Sequence, residues 1–432
     1  MAHRIRGVFA NARNLSYFVV RIAVAALGHG AARQLLESPS WGTTESPPLG
    51  PPLSVECEEV AVPGCPFDLA PSSDGRWLFV SLQKPGGTQR TAGSIAVLHR
   101  DGGGFRMRHQ IPLAAAPWGL AWARGESLLA VANSHGVVLL DAEAARNAGR
   151  EAIVGTAHYG RDLQTIRVLE SPDGRWLLAS DEHNATVSVL DLSRAAAGTF
   201  DADALVNQIP VDLSPLGMAL SSDGKHLYVT CEMQRVRAPD LVNWFVWAAT
   251  LQGRLRRAGV LYAIDMAEAA EDPTRAIVAR VPAGGHPVRI CMSQDGQMAW
   301  VTARASNQLL AFSMRQPGAP TCVATTPVGP AAVGLTILDE LGVVLVANSN
   351  RFGSSGGRET VGVIDVKRAL AGQKACLGHI RVGCFPREVV VDRRQRVVYV
   401  TNFDSGSLTV ISLNAIQHAV EAARAGLSEQ SR

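Results

Sequence analysis

Four charged residues occupy one phase of an internal repeat: Asp68, Arg167, Arg289 and Glu388. In the other three copies that phase is glycine, at Gly119, Gly217 and Gly334. Two acids and two guanidiniums around one concavity suit a polar, partly anionic ligand, because arginine offers a bidentate fork to carboxylate or phosphate. An acid pair can also hold one carboxyl at a raised pKa, fit for general acid–base work. Asp68, Glu388, His158 and His286 are therefore the candidate catalytic groups. Asp68, Arg167, Arg289, Glu388 and the neighbouring Arg387 are the candidate ligand-binding groups. The competing reading is an ion-pair network that only holds the repeats together. No nucleophile–base motif accompanies these residues. The sequence also has no Cys-x-x-Cys to support a zinc site and no Cys-x-x-Cys-His to attach a haem, so neither metal nor cofactor is expected.

The elements that must position these groups are visible in the repeat itself. Four copies read as an apolar run, then Ser-x-Asp-Gly, then a β-rich run: Asp68–Ser81, Arg167–Ser180, Gly217–Thr230 and Arg289–Thr302. Three more keep the strands and lose the Asp-Gly: Gly119–Asn133, Gly334–Asn348 and Glu388–Asn402. The turns recur at intervals of about 45–54 residues, with one of roughly 72, a period of propellers and solenoids. Asp-Gly marks a hairpin, since glycine accepts positive φ and aspartate bonds the local backbone. Four short strands per unit, with little helical periodicity, predict an all-β, seven-bladed β-propeller of four-stranded antiparallel blades. The last repeat supplies only three strands, ending at Ser407–Leu413. The lone strand Val55–Val62 is expected to complete that blade. Loops that lead into inner strands share one face with those joining second and third strands, so function is expected there, around the channel mouth.

Val229-Thr230, Tyr399-Val-Thr-Asn402 and Val131-Ala-Asn133 carry a further signal, strongest in Phe385–Val389 followed by Tyr399–Val410. Over about residues 55–413 the chain resembles the YVTN-type, YncE-like propellers, often called lactonase-like. The resemblance implies the fold and brings lactone hydrolysis into consideration. Phosphogluconolactonase-type relatives carry Pro-Arg-His before the inner strand. The counterparts here are Pro386-Arg387-Glu388 and His286-Pro287-Val288, which depart from that pattern. Asn133, Asn348 and Asn402 each end a second strand and are expected to cap the following turn.

Three regions are expected: an N-terminal arm (1–54), the propeller (55–413) and a C-terminal segment (414–432) with a short helix over Ala415–Gly426. Arg4, Arg6 and Arg13 precede the apolar Tyr17–Leu27, the order of a secretory signal. This points to a periplasmic or secreted protein; a cytoplasmic one with an amphipathic arm is the alternative. The apolar run is too short to span a bilayer. The linker Ser38–Pro52 is proline-rich. A net charge of +3 over 432 residues gives no global case for nucleic acid. Seven cysteines exclude full pairing. Cys231 and Cys291 read as buried fillers. Cys65–Cys384 is the pairing considered across the closure, with Cys57–Cys65 and Cys376–Cys384 as competitors.

The long interval marks an insertion, 235–259, in the fourth blade. It places Trp244, Phe245 and Trp247 on an apolar face beginning near Asp240, followed by Arg254, Arg256 and Arg257. Such a helix suits a lid, a docking site for a partner, or peripheral contact with a membrane surface through 241–257. The leading expectation is a binding or scaffold propeller that recognises a small polar ligand or a protein partner on the channel face. A lactonase-type hydrolase is the alternative, and an accessory subunit of an oxidoreductase the third.

Overall fold

Seven four-stranded antiparallel sheets are arranged as propeller blades. The inner strands are Cys65–Pro71, Pro117–Ala123, Thr165–Glu170, Leu213–Leu220, Pro287–Met292, Ala332–Leu338 and Pro386–Asp392, of blades 1 to 7. The computed structural model describes residues 49–429, except 87–91, 103, 148, 161–162, 235–257 and 352–358. The ring closes as the repeat count required. Cys57–Ala61 pairs antiparallel with Ser407–Ser412 and becomes the outer strand of blade 7, with Glu59 opposite Thr409.

The four Ser-x-Asp-Gly turns share one geometry. In blade 1 the Ser72 hydroxyl donates to Asp74 Oδ1 at 2.5 Å and accepts the Trp77 N–H at 3.0 Å. The same carboxylate accepts the Arg76 N–H, and Gly75 takes φ +68°. Serine, aspartate and glycine are thus each required by the turn, which explains why the motif is the clearest repeat signal. The structure repeats these bonds at Asp173, Asp223 and Asp295.

A second repeated bond joins neighbouring blades. Near the end of five second strands, a buried hydroxyl accepts the inner-strand N–H of its own blade and donates to an inner-strand carbonyl of the next. Ser81 bonds the Asp68 N–H and the Trp118 carbonyl, and Ser180 bonds the Arg167 N–H and the Leu216 carbonyl. Thr230, Thr302 and Thr401 do the same for Gly217 and Val288, Arg289 and Val333, and Glu388 and Phe67. Ala132 and Ala347 stand at this position in blades 2 and 6. The threonine of the Tyr-Val-Thr-Asn signature is therefore a stitch between blades. All seven inner strands also shift register at this level, the mark of a β-bulge.

Several expectations are revised. Asn133 does cap its turn, accepting the His135 N–H at 2.8 Å. Asn348 and Asn402 instead donate to third-strand hydroxyls, Thr360 and Thr409. The C-terminal helix runs Leu413–Glu429 and is not a free appendage. It buries Leu413, Ile416 and Val420, and Arg424 Nε donates to Asp365 of blade 6 at 2.8 Å. One-turn helices follow the third strands at Ala142–Asn147, Ser193–Ala196, Met266–Glu271 and Val366–Leu370, too short to show periodicity in sequence. The end of the proline-rich linker is ordered against blade 6. The His379 N–H donates to the Pro51 carbonyl at 2.9 Å and the Leu53 N–H to the His379 carbonyl at 2.8 Å. All seven cysteines are free. The Cys65 thiol is buried in blade 1 while Cys384 faces solvent, so neither that disulfide nor its competitors is formed. Cys231 is fully buried and Cys291 partly so. No described helix is long and apolar enough to cross a membrane.

Candidate functional site: the channel mouth

The four charges at the repeat phase meet one another across the channel. Arg167 Nη1 bonds Asp68 Oδ2 at 2.5 Å, and Arg167 Nη2 bonds Glu388 Oε2 at 2.6 Å. Arg289 Nε donates to Glu388 Oε1 at 2.6 Å, and its Nη2 reaches the same oxygen. Asp68 also accepts the Leu69 and Leu120 N–H groups at 2.8 and 2.9 Å. Two acids and two arginines thus form a neutral plug in which every charge has a partner. Burial works to raise the Glu388 carboxyl, but Arg167 and Arg289 overcome it and hold the group below its ordinary range. Burial prevails at Asp68, whose carboxyl is raised despite Arg167.

The glycines between the charges are steric requirements. A Cβ on Gly334 would stand 2.2 Å from the Arg387 carbonyl oxygen, and one on Gly119 would stand 2.5 Å from that of Ile166. Charge and glycine alternate around the ring from Asp68 to Glu388. Seven is odd, so the alternation fails once, and the two acids fall in the adjacent blades 7 and 1.

One residue earlier in each inner strand lies a second ring: Phe67, Trp118, Ile166, Leu216, Val288, Val333 and, in blade 7, Arg387. The six apolar members are buried in one cluster. Arg387 is the exception. Its guanidinium carbon lies 4.1 Å from the centre of the Phe67 ring, 5.2 Å from Phe385 and 5.5 Å from Phe403. Phe67 in turn meets Trp118 edge-on at 4.8 Å. Arg387 Nε is buried without a hydrogen-bond partner among the described residues, as is Trp118 Nε1. Burial, reinforced by the Arg289 and Arg351 guanidiniums, lowers Arg387 to about 9.

A third set of groups sits two residues after the inter-blade hydroxyls Ser180, Thr230 and Thr302, at or just past the ends of the second strands of blades 3, 4 and 5: Glu182, Glu232 and Arg304. These were not among the sequence candidates. Arg304 pairs with Glu232, and His286 Nδ1 lies 3.8 Å from the same carboxylate. Gln164 Nε2 donates to Glu182 Oε2 at 2.6 Å. Burial, with help from the Glu232 charge, pushes Glu182 up to about 7. Gln164, His286, Ala331 and Phe385, each just before an inner strand, and Ser214, the second residue of another, adopt left-handed φ without being glycine. Such backbone is uncommon for bulky side chains and costs of order 1 kcal/mol. The missed signal was present in sequence as three charges at a second repeat phase.

Two candidates lie elsewhere or beyond description. His158 ends the outer strand Ile153–His158, is exposed, and meets the His135 ring edge-on with ring centres 5.7 Å apart. It stands on the outer strand of blade 2, at the opposite edge of the sheet from the inner strand Pro117–Ala123. Trp244, Phe245 and Trp247, with the rest of 235–257, lie outside the described residues. A cleft of about 640 Å³ between blades 3 and 4, lined by Trp176, Asp223, Lys225 and Glu271, is on the Asp-Gly face. It contains none of the groups above. Among the described residues no cluster of potential metal ligands occurs.

No family model matches the chain, and no curated relative matches it either. Solved structures do resemble it in fold. The Kuenenia stuttgartiensis hydrazine synthase aligns over 82% of this chain and 96% of its own, at 15% identity and TM-score 0.58. The periplasmic gluconolactonase PpgL of Pseudomonas aeruginosa aligns over 78% and 88%, at 21% identity and TM-score 0.56. The β-propeller domain of Myceliophteria thermophila Cps50 (Swd1) aligns over 84% and 99%, at 11% identity and TM-score 0.57. These proteins share the propeller fold with this chain, and identities this low carry nothing further.

Proposed function

We propose that this protein is a binding propeller of the YVTN type whose channel mouth recognises a small anionic ligand. The observation that carries the reading is Arg387, a cation in an otherwise apolar ring, whose buried Nε has no hydrogen-bond partner among the described residues and which Glu388 reaches only at longer range. Buried charges are paired in stable proteins unless they serve a ligand. The plug beneath leaves no acid free, since Asp68 and Glu388 are engaged by Arg167 and Arg289. In this reading the plug is the floor of the site rather than the site itself. A periplasmic or secreted location, and a protein partner docked on Trp244, Phe245 and Trp247, belong to the same proposal.

Calorimetric titration of full-length protein with a library of organic carboxylates and phosphates tests it. Arg387→Gln should weaken binding at least tenfold without lowering the melting temperature. An Arg387→Gln protein that binds every hit as tightly as the parent would sink the proposal.

A second reading, hydrolysis, is favoured by Glu182. A carboxyl near 7 is poised to exchange a proton at neutral pH, and Gln164 fixes its orientation. Likeness in fold to a periplasmic gluconolactonase puts lactones in the screen. Turnover by the parent that is lost in Glu182→Gln would establish it.

A further inference from the structure

Resting on the reading of Arg387 as an anion receptor, we infer that the ligand is a small organic monocarboxylate with an apolar body, seated on the edge of Arg387 and packed against Phe385 and Phe403. The geometry around the guanidinium supports this choice. Phe67, Phe385 and Phe403 surround it, with ring centres between 4.1 and 5.5 Å from its carbon. Aromatic rings stack against guanidinium faces through cation–π attraction, which leaves the in-plane N–H groups for an acceptor. A carboxylate is planar and matches that fork bidentately. A phosphate dianion is more strongly hydrated and needs several donors to repay its desolvation. The same ring provides only one other unpartnered donor, Trp118 Nε1, on a side chain in contact with Phe67.

The phenyl groups are also held in place at a cost. Phe385 sits at φ +53°, in the left-handed region that bulky residues avoid. The Phe403 N–H donates to the Phe385 carbonyl at 3.0 Å, and the two rings meet edge-on at 5.5 Å. They are only partly buried, so an apolar body has surface to cover. The Arg351 guanidinium carbon lies 5.9 Å from the Phe385 ring centre, so the apolar surface gives way to charge on that side.

The test is calorimetry on the full chain with butyrate, hexanoate and phenylacetate, alongside phenylacetamide, acetate and inorganic phosphate. The expected result is that at least one of the longer carboxylates binds at least tenfold more tightly than acetate or phosphate, and that phenylacetamide loses at least tenfold against phenylacetate. Arg387→Gln and Phe403→Leu should each weaken that carboxylate tenfold or more. Trp118→Phe should remove most of the accompanying change in tryptophan emission. Phosphate binding as tightly as the carboxylates, with Arg387→Gln abolishing both, would overturn the carboxylate inference and leave the anionic-ligand reading intact. If no anion binds and Arg387→Gln lowers the melting temperature, Arg387 is a cation–π clamp between blades 7 and 1, and both readings fall.

Discussion

Arg167 and Glu388, 221 residues apart in sequence, are joined at 2.6 Å across the channel. The same guanidinium bonds Asp68, so one arginine from blade 3 serves the two acids left adjacent by an odd ring. The arrangement exists only in the closed propeller, because blades 7 and 1 become neighbours through the last strand pairing. The plug therefore reports on closure, and its loss should be felt globally.

Arg289→Ala strips Glu388 of one of its two cations in a buried setting. Breaking such a pair costs about 3–5 kcal/mol, because the remaining charge is left uncompensated. Chemical denaturation should show a loss of that order for Arg289→Ala, and a larger one when Arg167→Ala is added. Arg387→Met, by contrast, removes a buried charge that makes no ion pair or hydrogen bond among the described residues and should leave the unliganded protein as stable as the parent or more so. Equal destabilisation by Arg289→Ala and Arg387→Met would contradict the distinction between plug and receptor.

The inter-blade hydroxyls make a second forecast. Thr401→Val leaves the buried Glu388 N–H without its acceptor, and Thr230→Val does the same for Gly217. Each should cost about 1–3 kcal/mol, as an orphaned buried donor does. Val is close to Thr in shape, so a cost well under that range in equilibrium unfolding would show that the stitch contributes little.

Truncation separates the two roles of the N-terminal segment. Removal of residues 1–53 takes away the backbone pairing at His379 and should lower the melting temperature modestly. Removal of residues 1–62 takes away the outer strand of blade 7 and should abolish the cooperative transition. Circular dichroism melts of the two proteins decide this, and similar transitions in both would disprove the role of Cys57–Ala61 as the closing strand.

The pH dependence follows from Glu182 and Asp181. Burial raises Asp181 to about 6, although Thr165 and Tyr159 hydroxyls donate to it at 2.6 and 3.1 Å. Both folded pKa values exceed those of the unfolded chain, so the folded state binds more protons between roughly pH 4 and 7. Their contribution to stability is full below that window and is lost as pH rises through about 6 and then 7. Glu182→Gln should flatten the upper part of this profile. A protonated Glu182 also removes a negative charge from the mouth, so anion affinity should be greater at pH 5.5 than at pH 8. The opposite trend would place the ligand away from Glu182.

The sequence made the architecture legible because the Ser-x-Asp-Gly turn uses each of its residues locally. Ring closure was equally legible, since one strand was missing at one end and spare at the other. The plug residues stood out against glycine at their phase, but which acid each arginine meets depends on ring geometry that no local pattern encodes. Glu182, Glu232 and Arg304 were overlooked because a single phase was compared across repeats, and these lie at another. Asn348 and Asn402 misled for a different reason: their side chains find third-strand hydroxyls, a contact set by the neighbouring strand rather than by the turn.

The closure also fixes an order of events during synthesis. The outer strand of blade 7, Cys57–Ala61, leaves the ribosome before any of the strands it will join, and Ser407–Ser412 leaves last. At about 5–20 residues per second, translation of the intervening chain takes on the order of 20–70 seconds. Throughout that interval one β-edge at the start of the chain stays unsatisfied, and Asp68 waits for Arg167 and then for its acidic neighbour Glu388. The finished ring is thus a product of the complete polypeptide, and a ribosome that stalls before blade 7 releases six blades with two open edges.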